Sequence, residues 1–301
     1  MRNLVSLKND YQMTSTLKNM ASTYEEIAVM RLRKLRDNVL YNRDFLKRVG
    51  EVYMDVRLSY KKEVEKINSR SSLSFKKLFT RGSKTNDIKK SFTTFNKNGK
   101  KVSVLITSNK RLIGPISQRV FSEFIANVDT EKTDIAIIGK KGFDFYKDKK
   151  GEKRINYFNF PENENLNELK PIVSFLTKYE KVDVFYGKFL NLVNQVGEKM
   201  ILSGDSIMDL PVPVKSVNYL FEPSLFAVLN FFEVQIFSAL FKQTILESNL
   251  AVYGSQIQAM EQTTYNSEKE LNNIAKKIMR TRKYYNNKKQ IQRLSGMAFW
   301  G

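Results

Sequence analysis

The chain contains neither cysteine nor histidine. Without cysteine there is no disulfide framework, no zinc–thiolate site and no thiol nucleophile. Without histidine there is no Ser-His-Asp or Cys-His constellation, no imidazole metal ligand and no customary general base at neutral pH. Long apolar runs are scarce as well. The opening MRNLVSLKND lacks the apolar core of a signal peptide. The most apolar segment, Leu225 to Leu246, carries Asn230, Glu233, Gln235 and Lys242, and is too polar to span a bilayer. These absences lead to the expectation of a soluble, intracellular protein. Proline is missing from both ends, with none in residues 1–67 and none after Pro223; Gly50 is the only glycine in 1–67. Nothing in either stretch therefore obliges a helix to stop.

Both ends are patterned as long helices. In the C-terminal stretch Leu246, Leu250, Tyr253, Ile257, Met260, Thr264, Ser267, Leu271, Ile274 and Ile278 alternate steps of four and three, a heptad repeat with polar residues between. Such a helix would be roughly 100 Å long at ~1.5 Å per residue, a rod and not a core element. At the N-terminus Leu4, Leu7, Tyr11, Thr14, Leu17, Ala21, Tyr24, Ala28, Leu32, Leu35 and Val39 step by three or four, and Leu46, Val49, Tyr53 and Val56 continue the stripe. A helix with one apolar stripe is marginal alone in water. The two stripes are expected to cover each other in an antiparallel coiled coil.

Between them the pattern changes. Residues 68–101 are rich in Ser, Asn, Gly and Lys and read as a linker with one short helix near Phe75 to Phe79. Residues 102–216 alternate β-branched runs with helical segments: strands at 102–107, 134–139, 155–160, 182–189 and 199–203, helices at 115–128, 142–149 and 167–179. That alternation predicts an α/β domain with a largely parallel sheet. The expected fold is thus an α/β, Rossmann-like domain (102–216) inserted between coiled-coil helices at 1–67 and 217–301, with the linker at 68–101.

No segment carries an enzymatic constellation. GKKG (Gly139 to Gly142) follows a strand, yet it has neither the Walker spacing nor GxGxxG, and reads as a tight strand-to-helix turn. SNKRLIGP (Ser108 to Pro115) has too little glycine to cradle a phosphate. Nothing converges on Asp134 and Asp144, or on Glu162 and Glu164. No catalytic residue, metal ligand or cofactor is assigned.

The charge is the strongest compositional signal. Lys and Arg number 51 against 31 Asp and Glu, a net charge of +20. Nucleic acid, an anionic membrane or an acidic protein would each suit it. The basic residues cluster in RLRKLR (31–36) and in KKIMRTRKYYNNKKQIQR (276–293), where aromatics interleave with cations. Bases stack on exposed rings, whereas the heptad places Tyr285 near the seam. A basic coiled-coil scaffold or nucleic-acid-binding protein is the alternative reading.

Several segments, in order, resemble the γ subunit of F-type rotary ATPases. SLKNDYQMTSTLKNM (6–20) matches its N-terminal pattern S-x-K-N-x-x-Q-I-T-x-A-M-K-M at Ser6, Lys8, Asn9, Gln12, Thr14 and Lys18. TSNKRLIGPIS (107–117) stands where the family has S-D-R-G-L-C-G, and IIGKKGFDFYKDK (137–149) is similar to V-G-K-K-G-x-x-F. YLFEPS (219–224) matches the opening of the family's C-terminal helix. Tyr285, Asn286 and Gln290 match Y-N-x-x-R-Q-x-x-I-T, with Lys289 for Arg and Leu294 for Thr. The resemblance implies a non-catalytic central shaft without cofactor. It implies as partners a hexameric ring of α- and β-type ATPase subunits, an ε-type subunit and a membrane rotor ring, without nucleic acid and without membrane insertion. Lys18, Asn19, Met20, Lys289 and Gln290 match the family's contacts with the catalytic subunits, and Phe299 and Trp300 suit a bearing at the shaft tip. The implied location is cytoplasmic, peripheral at the inner face of the cell membrane. The altered tip suits a divergent assembly such as those of mollicutes, whose output need not be ATP synthesis and could drive gliding machinery.

Overall fold

A computed structural model describes residues 4–70, 99–110, 114–128, 133–150, 155–161, 166–202, 222 and 225–298. The chain opens with helix α1, Leu4–Arg70, and closes with helix α5, Leu225–Ala298, of 74 residues. At ~1.5 Å per residue α5 is about 110 Å long. The two helices run antiparallel in one constant register. Lys18 meets Glu268, Asn42 meets Gln243, and Tyr53 meets Glu233. From 18 to 53 on α1 the partner moves from 268 back to 233 on α5, thirty-five residues on each helix. No stutter interrupts the seam between those points.

The heptad expected in α5 is the buried seam. Leu246, Leu250, Tyr253, Ile257, Ser267 and Ile274 are buried, and Met260, Thr264, Leu271 and Ile278 are half-buried. Facing them on α1 are Ala28, Leu35 and Val39. Each such Val, Leu or Ile contributes ~1.5–3 kcal/mol when removed from water. The α1 stripe needs correction near its N-terminus. Leu17 and Tyr24 are exposed, and Lys18 and Glu25, one residue on, take the half-buried positions. The strict steps of three and four run through 14, 18, 21, 25, 28, 32, 35, 39, 42, 46 and 49. Geometry kept the period where the apolar residues had drifted off it.

The inserted domain is a five-stranded sheet in the order β3-β2-β1-β4-β5. Its strands are β1 Lys101–Ile106, β2 Asp134–Ile138, β3 Ile155–Phe158, β4 Lys181–Phe189 and β5 Gln195–Leu202. The first four are parallel and β5 is antiparallel to β4. Strand β5 begins earlier than the expected 199–203. Its start, QVGE, is polar because an edge strand buries only alternate side chains. A turn closed by the Asn191 side-chain amide oxygen, Oδ1, which accepts from the Val193 and Asn194 N–H groups, leads into it. Helices α2 Ile116–Asn127 and α3 Lys140–Lys150 cover one face through Val120, Phe121, Phe124 and Tyr146. Helix α4, Leu166–Leu176, covers the other through Leu169, Ile172 and Leu176. The long helix α5 completes both layers. Phe237, Phe241 and Ile245 join the α4 face, and Ala251 and Val252 join the opposite one. The short helix expected at 75–79, and most of the 68–101 linker, lie outside the described residues.

Candidate functional site

In an open α/β sheet, ligands bind beyond the carboxyl ends of the strands, where the strand order reverses. Here that point lies between β1 and β4, and α5 occupies it. The backbone of Gly187, near the end of β4, lies so close to Ala251 that an added Cβ would stand 3.1 Å from its methyl. A Cβ on Gly254 would meet the Phe189 ring at 2.8 Å, and one on Gly114 would meet the Ser255 carbonyl at 2.5 Å. Lys110, after β1, lies 4.0 Å from the centroid of the Tyr253 ring and donates to its hydroxyl. The crevice is filled by the shaft itself, and three glycines let the backbones meet.

The phosphate reading of GKKG fails on the same kind of count. A helix N-terminus binds phosphate through free N–H groups. At α3 these groups are taken. Lys140 N–H donates to Asn109 Oδ1 at 2.9 Å, Lys141 N–H to the Ser108 carbonyl at 3.3 Å, and Gly142 N–H to Thr107 Oγ1 at 2.9 Å. Gly139, with φ 101°, makes the tight turn; a Cβ there would strike the Thr107 carbonyl at 2.2 Å. Among the described residues no group of three or more Asp or Glu could hold a metal ion. No helix of the described residues is long and apolar enough to cross a membrane.

The remaining feature is the far end of α5. Carrying the register to the start of α1 places Leu4 opposite about residue 282. Beyond it, residues 282–295 are exposed throughout. This single helix carries Met279, Tyr284, Ile291 and Leu294 in the open. It also carries a one-signed charge: no Asp or Glu follows Glu270, while Lys276, Lys277, Arg280, Arg282, Lys283, Lys288, Lys289 and Arg293 do. At ~100° per residue these cations take all sides of the helix. Tyr285 is half exposed beside Tyr284, ring centroids 6.0 Å apart, and not on the seam as expected, past the point that Leu4, the first described residue of α1, lies opposite.

Residues 3–285 match the family model described as ATP synthase. The chain belongs to the ATP synthase family, in its γ-chain line. It is 27% identical to the ATP synthase gamma chain of Clostridium acetobutylicum over 296 residues, covering 93% of this chain and 92% of that one. It is 28% identical to the gamma chain of a Wolbachia from Drosophila simulans, over 62% of this chain and 68% of that one. Among solved structures, a chain in the Euglena gracilis mitochondrial ATP synthase, OSCP/F1/c-ring, rotational state 3, shares the fold. Its TM-score is 0.50 at 14% identity, covering 89% of this chain and 94% of that one.

On this γ-type fold the residues expected to contact a ring fall at two levels. Lys18 is on the seam, ion-paired with Glu268 at 3.1 Å, while Asn19 and Met20 beside it are exposed. Lys289 and Gln290 are exposed on the single helix, about 30 Å further along α5 at ~1.5 Å per residue. The structure does not bring the two sets together. Phe299 and Trp300 lie outside the described residues.

One polar cluster escaped the reading of the sequence. Asn42, buried in the seam, donates through Nδ2 to Gln243 Oε1 at 2.9 Å and to the Ala239 carbonyl at 3.1 Å. Gln243 Nε2 donates to Glu247 Oε1 at 2.9 Å, and an Arg43 guanidinium nitrogen reaches the same oxygen at 3.1 Å. Tyr186 of β4 is buried near this carboxylate. Burial above all, then the Glu247 carboxylate, pushes that phenol well above its ordinary value. The signal in the sequence was positional: Asn42 lies three residues after Val39 and four before Leu46, a seam position.

Proposed function

We propose that this chain is the central shaft of an F-type rotary ATPase, turning inside a hexameric ring of α- and β-type subunits. The observation that carries the reading is the end of α5, where residues 282–295 are exposed, apolar side chains among them, and the cations from Lys276 to Arg293 take all sides of the helix. Such a helix is marginal alone. An encircling protein would cover it and would meet charge on all faces as the shaft turned. Lys18, Asn19, Met20, Lys289 and Gln290 are assigned to contacts with that ring, and Phe299 and Trp300 to the bearing at its far end. The domains are taken as N-terminal helix 1–67, linker 68–101, α/β domain 102–216 and C-terminal helix 217–301. The α/β domain lies outside the ring, on the side facing an ε-type subunit and a membrane rotor ring, at the cytoplasmic face of the cell membrane. The shaft performs no chemistry: its asymmetric surface biases nucleotide binding and release in the ring according to angle.

Co-purification tests this reading. A tagged chain expressed in its own cells is expected to bring down large nucleotide-binding subunits in hexameric proportion, identified by mass, at roughly one shaft per ring. A nucleic-acid-binding protein is favoured by the exposed Tyr284 and Tyr285 rings beside cations. Recovery of nucleic acid without those subunits would establish that reading instead.

A further inference from the structure

A coiled coil with a regular apolar seam has neighbouring registers of similar energy. Sliding one helix by a heptad sets apolar residues against apolar residues again. The seam contacts of Ala28, Leu35, Val39, Leu246, Leu250, Tyr253 and Ile257 are apolar, and polar contacts between the helices lie at Lys18–Glu268, Asn42–Gln243 and Tyr53–Glu233. A shaft under torque needs one register distinguished from the next, because twisting two antiparallel helices also shears them along their axes. The Asn42 cluster supplies it. Buried amides and carboxylates tolerate only the register that pairs them, and a buried polar residue on a coiled-coil seam is the best-attested register device. Slipping α1 by seven residues would leave the Asn42 amide opposite apolar side chains, with its donors unpaired.

Within the cluster Glu247 accepts from Gln243 on its own helix and from Arg43 on α1. One carboxylate on α5 therefore ties the two helices together, and beside it Phe189 of β4 packs against the seam cluster that Leu246 and Leu250 form with α1. Nearby, Gly187, Gly254 and Gly114 hold the domain against α5 by shape, a grip that contacts one helix of the shaft.

We propose that Asn42, Arg43, Gln243 and Glu247 form the torque key of the shaft, fixing the register of its two helices. The part of this that concerns torque rests on the shaft reading; the part that concerns register does not. The chain is free of cysteine, so introduced thiols report cleanly. The test uses the full chain with K18C paired in turn with E268C, E261C or A275C and a short bismaleimide linker. The native chain is expected to cross-link through 18–268 alone. Asn42→Leu, and the double variant N42L/Q243L that leaves no unpaired seam amide, are expected to raise linkage through 261 or 275 at least fivefold. Melting should stay within a few degrees, since leucine suits the seam. In the assembled complex, with a bead on the α/β domain, N42L is expected to halve the stall torque or more while unloaded ATP hydrolysis stays within twofold. Slipped cross-links in the native chain would overturn the proposal, as would in-register linkage with full stall torque in both variants. Failure of the chain to join any ring would defeat the shaft reading, and the cross-linking result would still decide the register.

Discussion

At the residue scale, single side chains are fixed by partners far away in sequence, and those partners explain what could and could not be read in advance. The turn reading of GKKG followed from spacing alone, because a phosphate loop needs more glycine than this one has. What occupies its N–H groups did not follow, since Asn109 and Thr107 lie more than thirty positions earlier. Gly254 looks like a flaw in a helix, where glycine costs about 1 kcal/mol against alanine. The contact with Phe189 that requires it belongs to tertiary structure. Tyr179 shows the same dependence. Its hydroxyl donates to Asp134 Oδ2 at 2.9 Å across the end of the sheet, and burial first, then that carboxylate, raise its pKa from 10.0 to about 12. The protonated phenol is therefore favoured in the folded state. Its contribution is fully present below pH 10 and is lost as pH rises from 10 toward 12, where the unfolded chain has already released the proton. Tyr179→Phe is expected to cost ~1 kcal/mol at neutral pH for the lost hydrogen bond and to flatten the fall in stability between pH 10 and 12. Some slope will remain from Tyr146, Tyr157 and Tyr186, whose phenols are also raised. Urea titrations at several pH values measure both, and an unchanged slope in the variant would remove the assignment.

At the scale of elements, the sequence was most legible where one period dominates. The α5 seam from Leu246 to Ile278 matches the buried face residue for residue, because ten apolar or small side chains in strict three–four steps leave one way to bury them. The α1 seam was legible in its middle and misread at 17 and 24, where Leu and Tyr sit beside the seam and charged residues sit on it. It was also silent at Asn42, since a search for apolar residues passes over a polar one that is buried by its partner. Strands β1, β2 and β4 stood out as continuous apolar runs, as strands covered on both faces do. The start of β5 did not, because it is an edge. That the ends of the chain pair followed from need alone, as neither stripe could be covered otherwise. The pairing predicts a large effect at two positions. Leu250 and Ile257 are 7% and 8% exposed and belong to one cluster with Ala28, Leu35 and Val39. Replacing both with Asp sets two carboxylates in the seam with no cation designed to meet them, which costs several kcal/mol in total. Circular dichroism is expected to show a rod that melts far lower, with α1 losing helicity along with α5. Unchanged helicity and melting would mean that the helices do not depend on each other.

At the scale of the whole molecule, the charge and the shape have to be explained together. A net charge of +20 on a rod with one inserted domain would suit many anionic partners. Its distribution narrows them. Beyond Glu270 there is no acid, and the cations from Lys276 to Arg293 face every direction. A groove that tracks phosphates concentrates its cations on one side beside exposed rings, whereas a shaft that presents each face in turn to one partner needs them all round. Lys289 is the position to test, being fully in the open on the part of α5 that α1 does not reach. Lys289→Glu disturbs no buried contact, so the isolated chain should keep its melting temperature and helicity. Against a ring that is acidic at this level, as the proposed function expects, it would reverse one charge, a change of ~1 kcal/mol for an exposed pair, which corresponds to a rate lower by about fivefold. The loss should shrink as salt is raised, because the native contact is screened along with the variant's repulsion. Salt dependence by itself would not separate a protein ring from nucleic acid, since both attractions weaken in the same direction. The pair of measurements does. Reduced ATPase in the complex with an intact isolated chain supports the shaft. Unchanged ATPase, together with tight single-strand binding by the native chain that the substitution abolishes, would make this a nucleic-acid-binding protein and the cationic helix its groove.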